Sequence, residues 1–344
     1  MKRSKILVTG GSGFCGTAMI RLLLSRGCQV RNFDLETPSR DIQNAEFMRG
    51  NLCHSQEVLQ AVQGMDGVIH MAAKVPISKA GKQFWAVNVE GTRNVLEAAH
   101  QAGITKVVHI SSSAVQLSHT NPVPEDAPCH PVEGYSQSKR DAELVCFDFR
   151  DKGMRVDVIR PRVVVGLGRL GIFDILFDWI LEGRRIYLMG NGQNKIQFLH
   201  VEDLAELCFR CVQTDLSDTY NVGSKNFGTL NEDLGSLLAF AGTGSRLVHL
   251  PVWPVQAALA LLDFLKLSPL AAWHYLTYHR SLYFSNEKAQ KLLGWIPQYG
   301  NQEILKIAYT DYKRARQTGQ LPAYGSSHRK SLKQGLLGLL KKLS

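Results

Sequence analysis

Residues 5–34 read KILVTGGSGFCGTAMIRLLLSRGCQVRNFD. Ile6, Leu7 and Val8 form the short apolar run expected of a strand buried on both faces. Thr9 to Gly16 follow at once with glycines at 10, 13 and 16, and Ala18, Ile20, Leu22 and Leu23 then recur at helical spacing. Gln29 to Phe33 supply a second strand, which ends at Asp34. In such a strand, loop, helix, strand unit Gly10 lets the chain turn tightly and Gly13 lets backbone N–H groups approach a pyrophosphate. Gly16 lets the helix lie close to the strand. The phosphates belong at the helix N-terminus, beside Phe14, where free N–H groups and the helix dipole favour anions. The Asp34 carboxylate is placed to accept hydrogen bonds from the adenosine ribose hydroxyls and to repel a 2′-phosphate. The unit therefore predicts NAD rather than NADP as cofactor.

The 344 residues suffice for one large α/β unit with a smaller appended part, and 44% hydrophobic content supports a sizeable core. The formal charge is +10, but Arg329, Lys330, Lys333, Lys341 and Lys342 carry half of that excess, so the body needs no nucleic-acid partner. Seven scattered cysteines and no apolar signal segment after Met1 point to a reducing, cytoplasmic setting. Cys208 and Cys211 form a C-x-x-C inside an apolar helical pattern without a second pair, so they read as core thiols and no metal site is expected.

Beyond Asp34, Glu46 to Met48 is a short strand ending at Gly50-Asn51-Leu52, where an amide side chain either bonds adenine or closes a turn. Val58 to Val62 is helical. Gly67 to Ala73 is the next strand, with Ala72 among small residues that let backbone pass close to the cofactor, and with His70 a core histidine. Trp85 to Ala99 predicts one long helix whose Asn88 faces inward and must find a partner on a neighbouring strand or loop. Lys106 to Ile110 is a buried strand ending in Ser111-Ser112-Ser113. After a proline-rich loop, Tyr135 and Lys139 open a further helix four residues apart, on one face. A lysine ammonium near a phenol favours the phenolate, which can take a proton from a substrate hydroxyl as hydride leaves for the cofactor.

These stretches resemble the extended branch of the short-chain dehydrogenase/reductase family, the NAD-dependent epimerase/dehydratase group. The resemblance rests on Thr9 to Gly16, Asp34, His70 to Ala73, Asn88 to Asn94, Ser111 to Val115, Tyr135 to Lys139, Arg160-Pro161 and His200 to Asp203. It implies a Rossmann-type, doubly wound parallel sheet with a smaller, mostly helical C-terminal substrate part. It also implies Tyr135 as acid/base, Lys139 on the nicotinamide ribose and lowering the tyrosine pKa, and a serine as third member. The family's spacing places that serine three residues before a valine, which selects Ser112, with Ser113 the fallback. Family dehydratases carry an Asp-Glu pair directly after the serine, where this chain has Ser113 and Ala114, so dehydration is not expected. Nucleotide-sugar members place an arginine where Ile196 stands, and Lys195 lacks its planar fork. Members also often dimerise through helices corresponding to Trp85–Ala99 and Gln137–Phe149, which leaves a homodimer open.

The expected division is an NAD-binding part over 1–165 with further core elements around 196–222, a mainly substrate-binding part over 166–322, and a linker and basic tail over 323–344. Residues 171–183 are an aromatic-rich helix. Pro251 to Tyr278 is strongly apolar: a core helix is its plainest explanation, an apolar substrate pocket or membrane-facing surface the alternative. With Phe284 to Ala289 and Leu293 to Pro297, it resembles the 3β-hydroxysteroid dehydrogenase-like subgroup. In 329–344 leucines recur at helical spacing beside lysines, a pattern that suits peripheral contact with an anionic membrane or a solvated tail. The expected activity is interconversion of a secondary alcohol and a ketone on an apolar, steroid- or lipid-like small molecule. A sugar 4-epimerase holding NAD tightly, and a non-catalytic NAD sensor, are the alternatives.

Overall fold

The computed structural model describes residues 4–75, 81–118, 120–166, 172–265 and 272–319. The opening unit forms β1 (Lys5–Thr9), α1 (Phe14–Ser25) and β2 (Gln29–Asp34). Next come β3 (Glu46–Arg49), α2 (Ser55–Val62), β4 (Gly67–His70), a wide π turn at Trp85–Glu90 and α3 (Gly91–Gln101). They are followed by β5 (Lys106–Ile110), α4 (Gly134–Asp151), β6 (Arg155–Pro161), β7 (Val163–Val165) and α5 (Ile172–Leu181). The chain continues through β8 (Ile186–Met189), β9 (Phe198–His200), α6 (Val201–Val212), β10 (Thr219–Val222), α7 (Leu230–Ala241) and β11 (Leu247–Leu250). Helices α8 (Val252–Phe264), α9 (Ala272–Thr277), α10 (Glu287–Leu293) and α11 (Asn301–Thr318) end the described chain.

Seven strands form one parallel sheet in the order β10-β6-β5-β4-β1-β2-β3. Successive side chains of a strand point to opposite faces, and both faces are covered. Ile6 and Val8 of β1 pack with α1 and α6, including Leu204, Leu207, Cys208 and Cys211. Leu7, between them, packs on the other face with Val58, Val95 and Val145 of α2, α3 and α4. This is the doubly wound sheet expected from the sequence. Its strand order reverses between β1 and β4, which opens a crevice at their carboxyl ends where ligands bind in such folds. Helices α5, α7 and α11, with the two-stranded pair β8–β11, surround a separate core that includes Phe177, Ile180, Leu237, Leu305 and Tyr309.

The helix expected over Trp85–Ala99 is present as one unbroken helical run, with π geometry over Trp85–Glu90 that leads into α3 and buries Asn88 and Val89 together. Two other expectations are corrected. The strand expected over Gly67–Ala73 leaves the sheet after His70, which frees Met71 to Ala73 to line the crevice. The core-helix reading of Pro251–Tyr278 fails at α8. No residue of α8 is buried, and Trp253 is 78% and Phe264 84% exposed. An apolar run on all sides of a helix signals burial only if something packs against it. Among the described residues no helix is long and apolar enough to cross a membrane. The basic segment 329–344 lies outside the described residues.

Candidate active site

The crevice between β1 and β4 is lined by Gly10, Gly13, Phe14, Gly16, Asp34, Asn51, Leu52, Ala72, Ser112, Ser113, Tyr135 and Lys139. Residues far apart in the chain thus share one cleft. Gly10 has φ +70, and a Cβ there would stand 2.7 Å from the Ala72 backbone, so both conformation and space demand glycine. A Cβ on Gly16 would stand 2.1 Å from the Gly10 carbonyl oxygen, which is how closely α1 begins over its loop. Gly13 leaves the N-terminus of α1 open, since a Cβ there would meet only the Gly10 oxygen, at 3.1 Å. Gly16→Ala must displace the loop, and we expect NAD affinity to fall at least about tenfold, read by quenching of protein fluorescence on titration.

Asp34 ends β2 beside this loop. Its Oδ2 accepts from Ser12 N–H at 3.0 Å and its Oδ1 from Glu36 N–H at 3.0 Å. The backbone donors fix the carboxylate, each oxygen keeps a second lone pair for a ribose hydroxyl, and burial pushes its pKa up against the lowering effect of those bonds. The open helix terminus, the tight glycine turn and the fixed acid fit NAD. Asn51 uses its side-chain oxygen to accept from Cys53 N–H at 3.0 Å, a turn-closing bond, while its residue still lines the cleft.

Tyr135 and Lys139 stand in the first turns of α4, which Glu133 caps by accepting from Tyr135 N–H at 3.0 Å and Ser136 N–H at 3.1 Å. The Lys139 ammonium donates to the Ile110 carbonyl oxygen at 2.6 Å, and burial brings its pKa down to about 8. Ser112 Oγ accepts from Ala114 N–H at 3.1 Å, whereas Ser113 Oγ accepts from the Arg162 guanidinium at 2.9 Å.

A hydrogen-bond chain ties β1 to α4. His70 Nε2 lies 3.0 Å from Thr92 Oγ1, whose hydroxyl donates to the Asn88 carbonyl at 2.6 Å. Thr92 must therefore accept from His70, and this leaves Nδ1 to accept from Thr9 Oγ1 at 2.6 Å. Burial brings the His70 pKa down to about 3, so the ring stays neutral at that junction. The Asn88 amide bonds the backbone of Lys74, accepting from its N–H at 2.8 Å and donating to its C=O at 3.2 Å. It also donates to Ser138 Oγ at 3.0 Å, and that hydroxyl donates to the Tyr135 carbonyl at 2.7 Å. Asn88 thus finds the partners its inward position required.

The sequence reading missed a second support. Glu143 of α4 is fully buried and accepts two bonds from Arg160 of β6, at 2.7 and 2.8 Å, and one from Ser111 Oγ at 2.6 Å. Arg160-Pro161 was visible as a motif, but nothing in the spacing marked Glu143 as its partner. By contrast, His200 to Asp203 serve packing. Asp203 accepts from Gln298 N–H at 2.8 Å, and its carbonyl takes the Trp295 indole N–H at 3.0 Å.

The model of the NAD dependent epimerase/dehydratase family matches residues 6–223. The "Uncharacterized protein y4nG" of Sinorhizobium fredii is 40% identical over 336 residues, covering 97% of this chain and 85% of the relative. The mouse (Mus musculus) "Sterol-4-alpha-carboxylate 3-dehydrogenase, decarboxylating" is 28% identical over 340 residues, 92% of each chain. Among solved structures, the UDP-glucose 4-epimerase of Thermus thermophilus in complex with NAD superimposes with a TM-score of 0.73 at 25% identity. That match covers 90% of this chain and 99% of the other.

Proposed function

The chain belongs to the NAD dependent epimerase/dehydratase family and is an NAD-dependent enzyme, and from that premise we propose that it interconverts a secondary alcohol and a ketone on an apolar, steroid- or lipid-like molecule. The observation that carries this reading is the single cleft in which Tyr135, Lys139 and Ser112 face the glycine loop and Asp34. In the oxidative direction Ser112 holds the substrate oxygen and Tyr135 takes the hydroxyl proton, while the Lys139 ammonium, anchored at Ile110, stabilises the phenolate. Bound NAD supplies the hydride acceptor. Ser112 is favoured over Ser113 because its residue is partly exposed in the cleft, whereas Ser113 is buried beneath the Arg162 guanidinium.

Two features support an apolar substrate over a nucleotide sugar. Ile196, where a diphosphate-clamping arginine would stand, is only 6% exposed, and neighbouring Lys195 points into solvent. The exposed apolar helix α8 is bound to α9 through Gln256 Nε2, which donates to the Tyr275 carbonyl at 2.9 Å, and Tyr278 just beyond α9 lines the cleft. The name of the mouse relative, a sterol dehydrogenase, points the same way.

The test is cofactor accounting. We expect purified protein to carry little bound NAD and to accumulate NADH in step with oxidation of apolar secondary alcohols. Protein that co-purifies with NAD, inverts a nucleotide-linked sugar and accumulates no NADH would replace this reading with the epimerase one.

A further inference from the structure

Arg162 lies one residue past β6, its N–H bonded to the Val222 carbonyl at 2.9 Å, and the residue lines the active-site cleft beside Ser113. The residue is only 4% exposed. Its guanidinium donates to Ser113 Oγ at 2.9 Å and stands 5.6 Å from the centre of the Phe284 ring. Among the described residues no carboxylate pairs with it, and Nε has no hydrogen-bond partner. Arg160, two residues earlier and equally buried, shows the contrast: both oxygens of Glu143 neutralise it. Burial lowers the Arg162 pKa only to about 10, so the group is cationic at neutral pH. A buried cation with an unpartnered N–H in the wall of a ligand cleft is costly unless an anion meets it there.

Resting on the alcohol/ketone reading, we propose that Arg162 receives a carboxylate of the substrate, which makes the substrate a 3-hydroxy (or 3-oxo) carboxylic acid on an apolar skeleton. Ser113 follows Ser112 directly, so an anion on Arg162 sits within a few bonds of the oxygen that Ser112 and Tyr135 hold. One guanidinium flanked by Phe284 and Tyr278 matches a single negative charge on a planar group, whose two oxygens suit the fork of an arginine edge. A phosphate or diphosphate would bring more charge than this wall offers.

The experiment compares acid and neutral partners under NADH readout with the full chain. The pairs are 3-hydroxydodecanoic acid against its methyl ester, and a 3β-hydroxysteroid 4-carboxylic acid against the same steroid without the carboxyl. On whichever skeleton is accepted, the acid should exceed the neutral compound in kcat/KM by on the order of 100-fold, as loss of one partner of a buried charge pair predicts. In Arg162→Gln that ratio should fall to within about threefold, and Arg162→Lys, which keeps charge without the fork, should stand between. NAD titration checks that the variants retain the cofactor site, and the wild-type comparison needs no variant at all. If the neutral compounds are oxidised as well as the acids, the carboxylate role is overturned and the alcohol/ketone reading stands. If none of the four is oxidised, both fall.

Discussion

Replacing Tyr135 by Phe lowers kcat for alcohol oxidation by about 10³-fold, within the range set by loss of a positioned acid/base, while NAD affinity changes by less than about twofold. The two effects separate because the substitution removes one oxygen and keeps the ring. Tyr135 is 8% exposed and packs edge-on against Phe84, with ring centres 5.9 Å apart, a contact that phenylalanine reproduces. The cap from Glu133 reaches backbone N–H groups, and the Ser138 hydroxyl reaches the Tyr135 carbonyl, so neither depends on the phenol. The loop of Gly10 to Gly16 and Asp34 is untouched. Steady-state NADH formation and a fluorescence titration with NAD check the pair of outcomes, and a variant that turns over at the wild-type rate would remove Tyr135 from the chemistry.

The largest effect on stability is expected at Glu143. Glu143→Ala leaves Arg160 buried at 3% exposure without its counterion and also releases Ser111 Oγ. Breaking one side of a buried pair costs about 3–5 kcal/mol, which lowers the midpoint of thermal unfolding by on the order of 10 °C. The other contacts of Arg160, to the Glu125 carbonyl at 2.8 Å and the Cys129 sulfur at 3.8 Å, satisfy N–H groups but not the charge. Replacing both partners, as in Glu143→Leu with Arg160→Met, should recover much of that loss, since two apolar side chains need no counterion. Thermal unfolding of the two single variants and the double variant measures this directly. A double variant as unstable as the sum of its singles would mean that the pair is not the unit holding α4 to the sheet. Because α4 carries Tyr135 and Lys139, the single variant should lose activity as well.

The short-range signals were legible because they are local. A buried strand, three glycines and an amphipathic helix occupy consecutive residues, and each constraint at Gly10 or Gly16 comes from backbone only a few positions away or from the next strand in the sheet. The unbroken apolar run of β1 marked a strand buried on both faces, the family resemblance implied the doubly wound sheet, and Tyr135 and Lys139 share a face by helical spacing alone. Even Asn88 could be placed indoors from its position among apolar neighbours.

What the tertiary structure decided is which inward polar groups meet. Glu143 and Arg160 lie 17 residues apart on a helix and a strand, and Ser113 and Arg162 lie 49 apart on adjoining loops. Periodicity assigns a face to each but names no partner, so it could not tell that one buried arginine is neutralised and the other is not. Nor could it place α8, whose apolar run was read as core. Burial depends on what packs against a helix, and Trp253 and Phe264 stand on the surface because no described element covers them. From the sequence came the strand, glycine loop, helix and strand unit that predicts NAD, together with the family resemblance that implies the doubly wound sheet. The substrate half, where Arg162 stands beside the serines, emerged only when distant side chains were brought to one wall of the cleft.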